Sequence, residues 1–348
     1  MNLKEIAKAA GVSQSTVTMV LHGRKGVGNA TKQRVAKLLK ENGYALKIRQ
    51  PQAAKTSSEP SKIIFIKYRC DSLMVDGNSE YITNLIDEVE KYCNDAGYEL
   101  VFKVATNETL PDIFHKVNNE PFEGIILLGT EFRNEDRPLL KNVQKPIIII
   151  DNDLVKLPIT SVSTHTWNSM RMKVEYLLRR GHKNIGYVIN SKPTSICSQC
   201  FDGFRAALRE NNLIYNEAYV FRVEPTLEGA YESMKQILQK GAQFPSALVA
   251  NSDCLALGAI RAMQEFGISV PKNVSIISGD NIASCTVCSP QLTTCDAHAK
   301  EIGKWAVTLL RERICNPLGP VIRLRVETSL VERESVCDYS DYVPFYAK

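Results

Sequence analysis

The sequence predicts a small all-α unit at the amino terminus, followed by an α/β region of parallel, doubly wound sheets. Apolar residues recur at helical spacing over the first 45 residues, whereas apolar runs of strand length alternate with helical patterns from Ser61 onward. About 290 of the 348 residues follow the amino-terminal unit, too many for one compact core. We therefore expect two further lobes.

The first two predicted helices are joined by a short turn. Asn2 can cap the first helix with Glu5 completing a capping box, and the apolar residues between Leu3 and Ala10 share one face. Gly11 supplies a left-handed stop, and Ser13 can cap the second helix. This is the spacing of a helix-turn-helix.

A third helix is predicted from about Ala30 to Asn42, ended by Gly43. Residues 1–60 hold 11 lysines and arginines but 3 acidic residues, so this segment carries +8 while the remaining chain carries −3. A phosphate backbone is the natural partner of such a basic unit. We expect double-stranded DNA as that partner.

Residues 47–61 have the composition of a linker, and the predicted domain limits follow from it: 1–46, the helix-turn-helix unit; 62–336, the α/β core; and 337–348, a tail. Within the core, runs such as Ile147–Ile150 are apolar on both faces, as in a parallel sheet covered by helices. The predicted strands are Ile63–Ile66, Leu100–Val104, Gly124–Leu128, Ile147–Ile150, Ile185–Ile189, Ala247–Ala250 and Val274–Ile277, and the predicted helices are Tyr81–Gly97, Thr166–Arg180, Asp202–Asn211, Leu227–Gln239, Cys254–Phe266 and Lys300–Arg313.

Several classes of protein fit the sequence poorly. No run approaches the roughly 20 apolar residues of a membrane span, and no charged-then-apolar leader begins the chain, so we expect a cytoplasmic protein with reduced cysteines rather than an exported solute-binding protein. A nucleophile–base pair and a phosphate loop are also missing from the motifs. We expect neither enzymatic activity nor a cofactor.

The sequence resembles the LacI/GalR repressor family. The likeness rests on Leu3–Gly23, Thr31–Val35, Asn42–Tyr44, Phe122–Ile126, Pro146–Asp151, Leu178–Ile185, Asp253–Gly258, Val270–Ile276 and Pro290–Thr294. It implies a homodimeric regulator, expected to be a repressor, on a pseudo-palindromic operator. It also implies a periplasmic-binding-protein-like core with an effector cleft between two lobes: 62–160 with 292–324, and 161–291 with 325–336.

The resemblance places Gln14 and Ser15 at the family's specificity positions, where glutamine can bond adenine bidentately. Met19 departs from the usual arginine and offers only apolar contact. Pro51 disfavours the hinge helix that the family usually has, so we expect a looser tether and weaker central kinking. The expected DNA contacts are Gln14, Ser15, Thr16, Thr18, Met19, His22, Asn29, Thr31 and Lys32.

The effector positions carried over from the family are Tyr81, His165, Trp167, Cys200, Asp253 and Asp280. Aromatic rings can stack on a sugar or a base, and carboxylates can accept hydroxyl protons. Cys200 stands where the family most often has an effector-binding arginine, and His165 replaces the usual aspartate. We expect a sugar or a related metabolite as effector.

Two C-x-x-C pairs leave an alternative open. Cys197 with Cys200 and Cys285 with Cys288 have the spacing of a thiolate metal site, although 84 residues separate the pairs. A metal- or thiol-redox-responsive DNA-binding regulator is therefore the competing hypothesis. Cysteine is also an ordinary small buried residue, so the same pairs can serve packing alone.

Overall fold

The computed structural model describes residues 2–21, 27, 29–42, 44, 60–71, 73–154, 157–192 and 194–345. It divides the chain into two units, Met1–Glu59 and Pro60–Lys348. The linker around Pro51, and with it the prediction about the hinge, lies outside the described residues. Among the helices described, none combines the length and apolar character that crossing a membrane would require.

The amino-terminal unit contains three helices: α1 (Leu3–Ala10), α2 (Gln14–Leu21) and α3 (Asn29–Glu41). The predicted capping box forms, because the Asn2 side chain accepts from the Glu5 amide at 3.0 Å while Glu5 accepts from the Asn2 amide at 2.9 Å. Gly11 ends α1 with φ of 65°. The three helices close a core of Ile6, Ala7, Ala10, Val17, Val20, Val35 and Leu39.

Lobe 1 of the second unit contains a six-stranded parallel sheet with helices on both faces. Its order is β11-β5-β4-β3-β1-β2. The strands are β1 (Ser61–Tyr68), β2 (Tyr98–Ala105), β3 (Phe122–Leu128), β4 (Ile147–Ile150), β5 (Thr160–Thr164) and β11 (Arg323–Val326). The helices are α4 (Met74–Gly77), α5 (Ser79–Asp95), α6 (Leu110–Asn119), α12 (Ala299–Cys315) and a 3₁₀ segment, Asn134–Asn142.

Lobe 2 repeats this arrangement in the order β12-β10-β9-β8-β6-β7, with only β10 and β12 antiparallel. The strands are β6 (Ile185–Asn190), β7 (Val220–Val223), β8 (Ala247–Ala250), β9 (Ser275–Asp280), β10 (Thr293–Asp296) and β12 (Ser329–Val331). The helices are α7 (Thr166–Arg179), α8 (Ser195–Glu210), α9 (Leu227–Gln239), α10 (Asp253–Glu265), α11 (Ser284–Val287) and the 3₁₀ turns Glu217–Tyr219 and Tyr339–Asp341. Alternate residues along each strand pack on opposite faces, as doubly wound sheets require.

The chain crosses between the lobes three times: after β5, after β10, and between β11 and β12. The limits expected from the resemblance, 160, 292 and 324, need correction by a few residues. They divide β5 and β11 and assign β10 to the wrong lobe, because β5 and β10 are polar and give no apolar strand signal. Residues 337–345 are more than a tail, since the Cys337 carbonyl lies 2.9 Å from His182 Nε2 and the Val343 carbonyl accepts from Asn273.

Candidate DNA-binding helix and effector cavity

The first turn of α2 presents small polar side chains on a capped helix end. The Ser13 hydroxyl accepts from the Thr16 amide at 3.1 Å and shares hydrogen bonds with the Ser15 and Thr16 hydroxyls at 2.7 and 2.8 Å. Gln14 and Ser15 are exposed, while Val17 faces the core. The capped turn therefore offers polar groups outward on a helix that is anchored by its apolar face.

The other predicted DNA contacts are less exposed or lie outside the described part of the chain. Thr18 donates its hydroxyl to the Gln14 carbonyl at 2.9 Å, which leaves only its oxygen lone pairs for a ligand. Met19 is half-buried, as are Thr16 and Thr31. His22 lies outside the described residues, and for Asn29 and Lys32 the structure describes the helical backbone only.

A cavity of about 90 Å³ lies between the two lobes. Corresponding strands of the two sheets each deliver an aspartate to it: Asp151 directly follows β4, and Asp280 ends β9. Both residues have positive φ, 58° and 123°, a conformation that costs a non-glycine residue energy and often marks a functional site. The cavity is lined by Met74, Asn78, Tyr81, Thr130, Asp151, Thr164, Thr166, Ser169, Met170, Lys173, Ile196, Cys200, Asn251, Ser252, Gly279, Asp280, Cys295, Ala297 and Thr328.

Asp151 is the carboxyl group of lobe 1 in this cavity. It accepts hydrogen bonds from the Thr130 hydroxyl at 2.6 Å and from the Tyr81 hydroxyl at 3.3 Å. Burial raises its pKa to about 6, and these two hydrogen bonds oppose the rise. Burial also raises the pKa of Tyr81 well above its usual value, so the phenol stays neutral and remains a donor.

Asp280 is the carboxyl group of lobe 2, and it contacts lobe 1 directly. Its side chain accepts from Asn78 Nδ2 at 2.9 Å. Burial and then the neighbouring Asp253 raise its pKa well above the usual value, while Lys173 and the bond from Asn78 oppose the rise. A raised pKa favours the protonated form of a carboxyl, which can donate as well as accept.

Lys173 places a cation in the same cavity. The sequence alone did not lead us to predict this residue as part of the site. It lies on α7 and is only 2% exposed. Its Nζ lies 2.7 Å from the position that a Cβ on Gly279 would occupy, so the ammonium rests against the backbone of β9. The signal in the sequence was a lysine on the apolar face of a helix, between Met170 and Val174.

The structure brings half of the predicted effector residues together. Tyr81, Cys200 and Asp280 line the cavity, whereas His165, Trp167 and Asp253 do not. His165 Nδ1 lies 2.6 Å from Glu327 Oε1 where the chain crosses between lobes, and Trp167 is 42% exposed.

Asp253 is fully buried, and its carboxylate accepts hydrogen bonds from protein groups. It accepts from the Ser278 hydroxyl, from the Thr294 hydroxyl at 2.6 Å and from the Ile282 amide at 3.0 Å. This residue therefore holds β9, β10 and the turn after β9 together, which is a different role from the ligand contact expected of it.

The cysteine pairs do not assemble a metal site in the described part of the chain. No group of three or more His, Cys, Asp or Glu side chains there is arranged to hold a metal ion. Cys197 Sγ contacts Met74 Sδ at 3.6 Å, and Cys288 Sγ donates to the Pro290 carbonyl. Burial raises the pKa of the Cys200 thiol to about 12 and that of Cys285 further, which disfavours the thiolate that metal binding and redox chemistry need.

Two family matches fall on the two units. Residues 2–45 match the family of bacterial regulatory proteins, lacI family, and residues 174–336 match the periplasmic binding protein-like domain. Curated relatives include the HTH-type transcriptional repressor PurR of Pectobacterium carotovorum subsp. carotovorum, 28% identical over 98% of both chains. The repressor of the same name from Pasteurella multocida is 28% identical over 96% of this chain and 98% of its own.

Solved structures share the fold over nearly the whole chain. A complex of the transcriptional regulator CelR with cellobiose superposes with a TM-score of 0.70 at 21% identity, covering 96% of this chain and 99% of that one. The lac repressor dimer bound to operator and the anti-inducer ONPF gives 0.71 at 20% identity, covering 97% and 99%. The chain therefore combines a helix-turn-helix domain of the LacI family of bacterial regulatory proteins with a periplasmic-binding-protein-like core.

Proposed function

We propose that this protein is a transcriptional repressor that binds a pseudo-palindromic operator as a homodimer, with one α2 in the major groove of each half-site. The exposed pair Gln14 and Ser15 on the capped first turn of α2 carries this proposal, because these side chains face solvent, where they can meet base edges, while Val17 and Val20 anchor the helix. The +8 charge of residues 1–60 supplies phosphate attraction.

The second part of the proposal is control by a small polar effector in the cavity between the lobes. Its support is the pair of strand-end carboxyls, one from each lobe, with which a single ligand can bond to both lobes at once. Relatives with this fold have been solved with cellobiose and ribose bound. Such an effector alters operator affinity only through its unequal affinity for the two states of the regulator. We propose that the regulator acts in the cytoplasm, where bacterial DNA is located.

The test is selection of bound fragments from genomic DNA by the full-length protein at near-cellular ionic strength. We expect enrichment of a palindromic site, bound by a dimer in sedimentation analysis.

Gln14→Ala should relax base preference at one position of each half-site, each lost base contact weakening discrimination by about 1–3 kcal/mol. Gln239→Ala makes the same change at an exposed position of α9 and should leave the preference unchanged. Equal binding to random duplex would contradict the proposal.

A further inference from the structure

Lys173 places an unpaired positive charge in the wall of the inter-lobe cavity. The residue is 2% exposed and lines the cavity, and among the described residues no hydrogen bond or ion pair joins its ammonium to a protein group. A buried ammonium without a partner costs several kcal/mol, so it favours a ligand that supplies the missing acceptor. Three N–H donors remain available on Nζ.

The carboxyls of the cavity do not fill this role. Asp280 accepts from Asn78 on the opposite lobe, and no hydrogen bond or ion pair joins it to Lys173 among the described residues; burial and Asp253 raise the pKa of its carboxyl, which weakens its acceptor character. Asp151 lies on lobe 1, where its oxygens accept from Thr130 and Tyr81. The thiols that face the ammonium, Cys200 and Cys295, have pKa values raised by burial and stay neutral. Among the described residues no protein group therefore accepts a hydrogen bond from Lys173, and a ligand in the cavity can supply that acceptor.

Size and the remaining lining limit what the ligand can be. About 90 Å³ is well below the roughly 300–1,000 Å³ of a drug-sized pocket, so this cavity takes one small molecule. The other polar groups at its wall are hydroxyls, amides and the two carboxyls, including Thr130, Ser169 and Asn251. These groups match the hydroxyls of a polyol.

We propose that Lys173 is the cation that anchors the effector, and that the effector is a hydroxylated carboxylate of monosaccharide size, that is, a sugar acid. Its carboxylate accepts from Lys173 Nζ, and its hydroxyls bond to Asp151 and Asp280 across the lobes. This inference rests on the effector-controlled function proposed above and replaces its broad class of polar ligands with a charged one. It also places the cation of the site on α7. The resemblance instead points to α8, where Cys200 occupies the position of the family's arginine.

The experiment compares matched pairs of compounds on the full-length protein, with unfolding followed by tryptophan fluorescence, since both tryptophans lie in the second unit. The probes are galacturonate, glucuronate and gluconate against galactose, glucose and glucitol, with glucosamine as the cationic arm, at equal concentration and ionic strength. We expect at least one acid to raise the unfolding temperature where its neutral parent and glucosamine do not. Equal responses to an acid and its parent, preference for glucosamine, or silence to all three acids would each overturn the proposal.

A charge-removing variant provides the second arm. Lys173→Met should weaken binding of the responding acid at least tenfold, whereas Lys240→Met, at an exposed position, should leave it unchanged. Operator binding by the unmodified protein and by Lys240→Met is measured without ligand, and both should bind the selected operator equally. Loss of operator binding by the unmodified protein then shows failure of the regulatory function separately from failure of the sugar-acid proposal. Full retention of acid binding by Lys173→Met would refute the role of this lysine. The comparison of each acid with its neutral parent compound uses the unmodified protein, so it tests the proposal even where Lys173→Met does not fold.

Discussion

Two aspartates of lobe 2 take different roles, although the resemblance carries both over as effector positions. The Asp253 carboxylate accepts from the Ser278 and Thr294 hydroxyls and the Ile282 amide, whereas Asp280 lines the cavity and accepts from Asn78. The deciding factor is how many protein donors reach each carboxyl. A residue type alone carries no such information.

At the residue scale, Asp253→Ala should lower the free energy of unfolding of the second unit by about 3 kcal/mol. The substitution leaves two buried hydroxyls and one amide without an acceptor, and each unsatisfied group costs roughly 1–3 kcal/mol. Asp253→Asn keeps one acceptor oxygen and should cost less. Urea unfolding followed by tryptophan fluorescence measures the difference, with the exposed Asp202→Ala as control. Equal stability of Asp253→Ala and the control would show that this hydrogen-bond network contributes little.

Some residues of the cavity could be predicted from the sequence and others could not. Asp151 directly follows four isoleucines, three of them buried, and carboxyl ends of parallel strands are the usual location of ligand sites. Lys173 gave a weaker signal, as a charge on an apolar helical face. His165 and Trp167 are close in sequence to residues that line the cavity, but they do not line it themselves. The direction of a side chain at a chain crossing depends on packing between distant segments.

At the scale of elements, the amino-terminal helices and the apolar strands were predictable, because capping residues and buried isoleucine runs are local signals. The strands Thr160–Thr164 and Thr293–Asp296 were not. The buried hydroxyls of Thr160, Thr293 and Thr294 bond to groups distant in sequence, as when Arg313 donates to Thr160 Oγ1 at 2.8 Å. Burial of these polar residues depends on partners far along the chain, which no local pattern reveals.

The capped start of α2 yields a prediction that separates helix stability from base recognition. Ser13→Ala removes the acceptor of the Thr16 amide and should cost the amino-terminal unit about 1 kcal/mol. Operator affinity should then fall to a similar extent on every site sequence. Gln14→Ala, which removes no cap, should instead change the preferred sequence. Binding of both variants to a panel of operator variants measures the two effects, and a changed preference in Ser13→Ala would contradict this division.

At the scale of the whole second unit, two lobes joined by three crossings also touch directly beside the cavity. Glu80 at the start of α5 accepts from the Ala283 amide and from the Ser284 hydroxyl at 2.8 Å, while Asn78 reaches Asp280. These contacts lie on segments distant in sequence and hold the lobes closed around the cavity.

Glu80→Ala should shift this unit toward an open form. Hydrogen bonds to a charged carboxylate contribute roughly 1.5–3 kcal/mol when buried and less at a half-exposed position, and 1.4 kcal/mol already corresponds to a tenfold change in the opening equilibrium. We therefore expect about tenfold faster hydrogen exchange at the Ala283 and Ser284 amides and in the cavity wall around Asp280, with α9 unaffected. Glu232→Ala, an exposed change on α9, provides the matched control. If exchange near Asp280 were the same in both variants, closure would have to depend on the covalent crossings and the Asn78 contact rather than on Glu80.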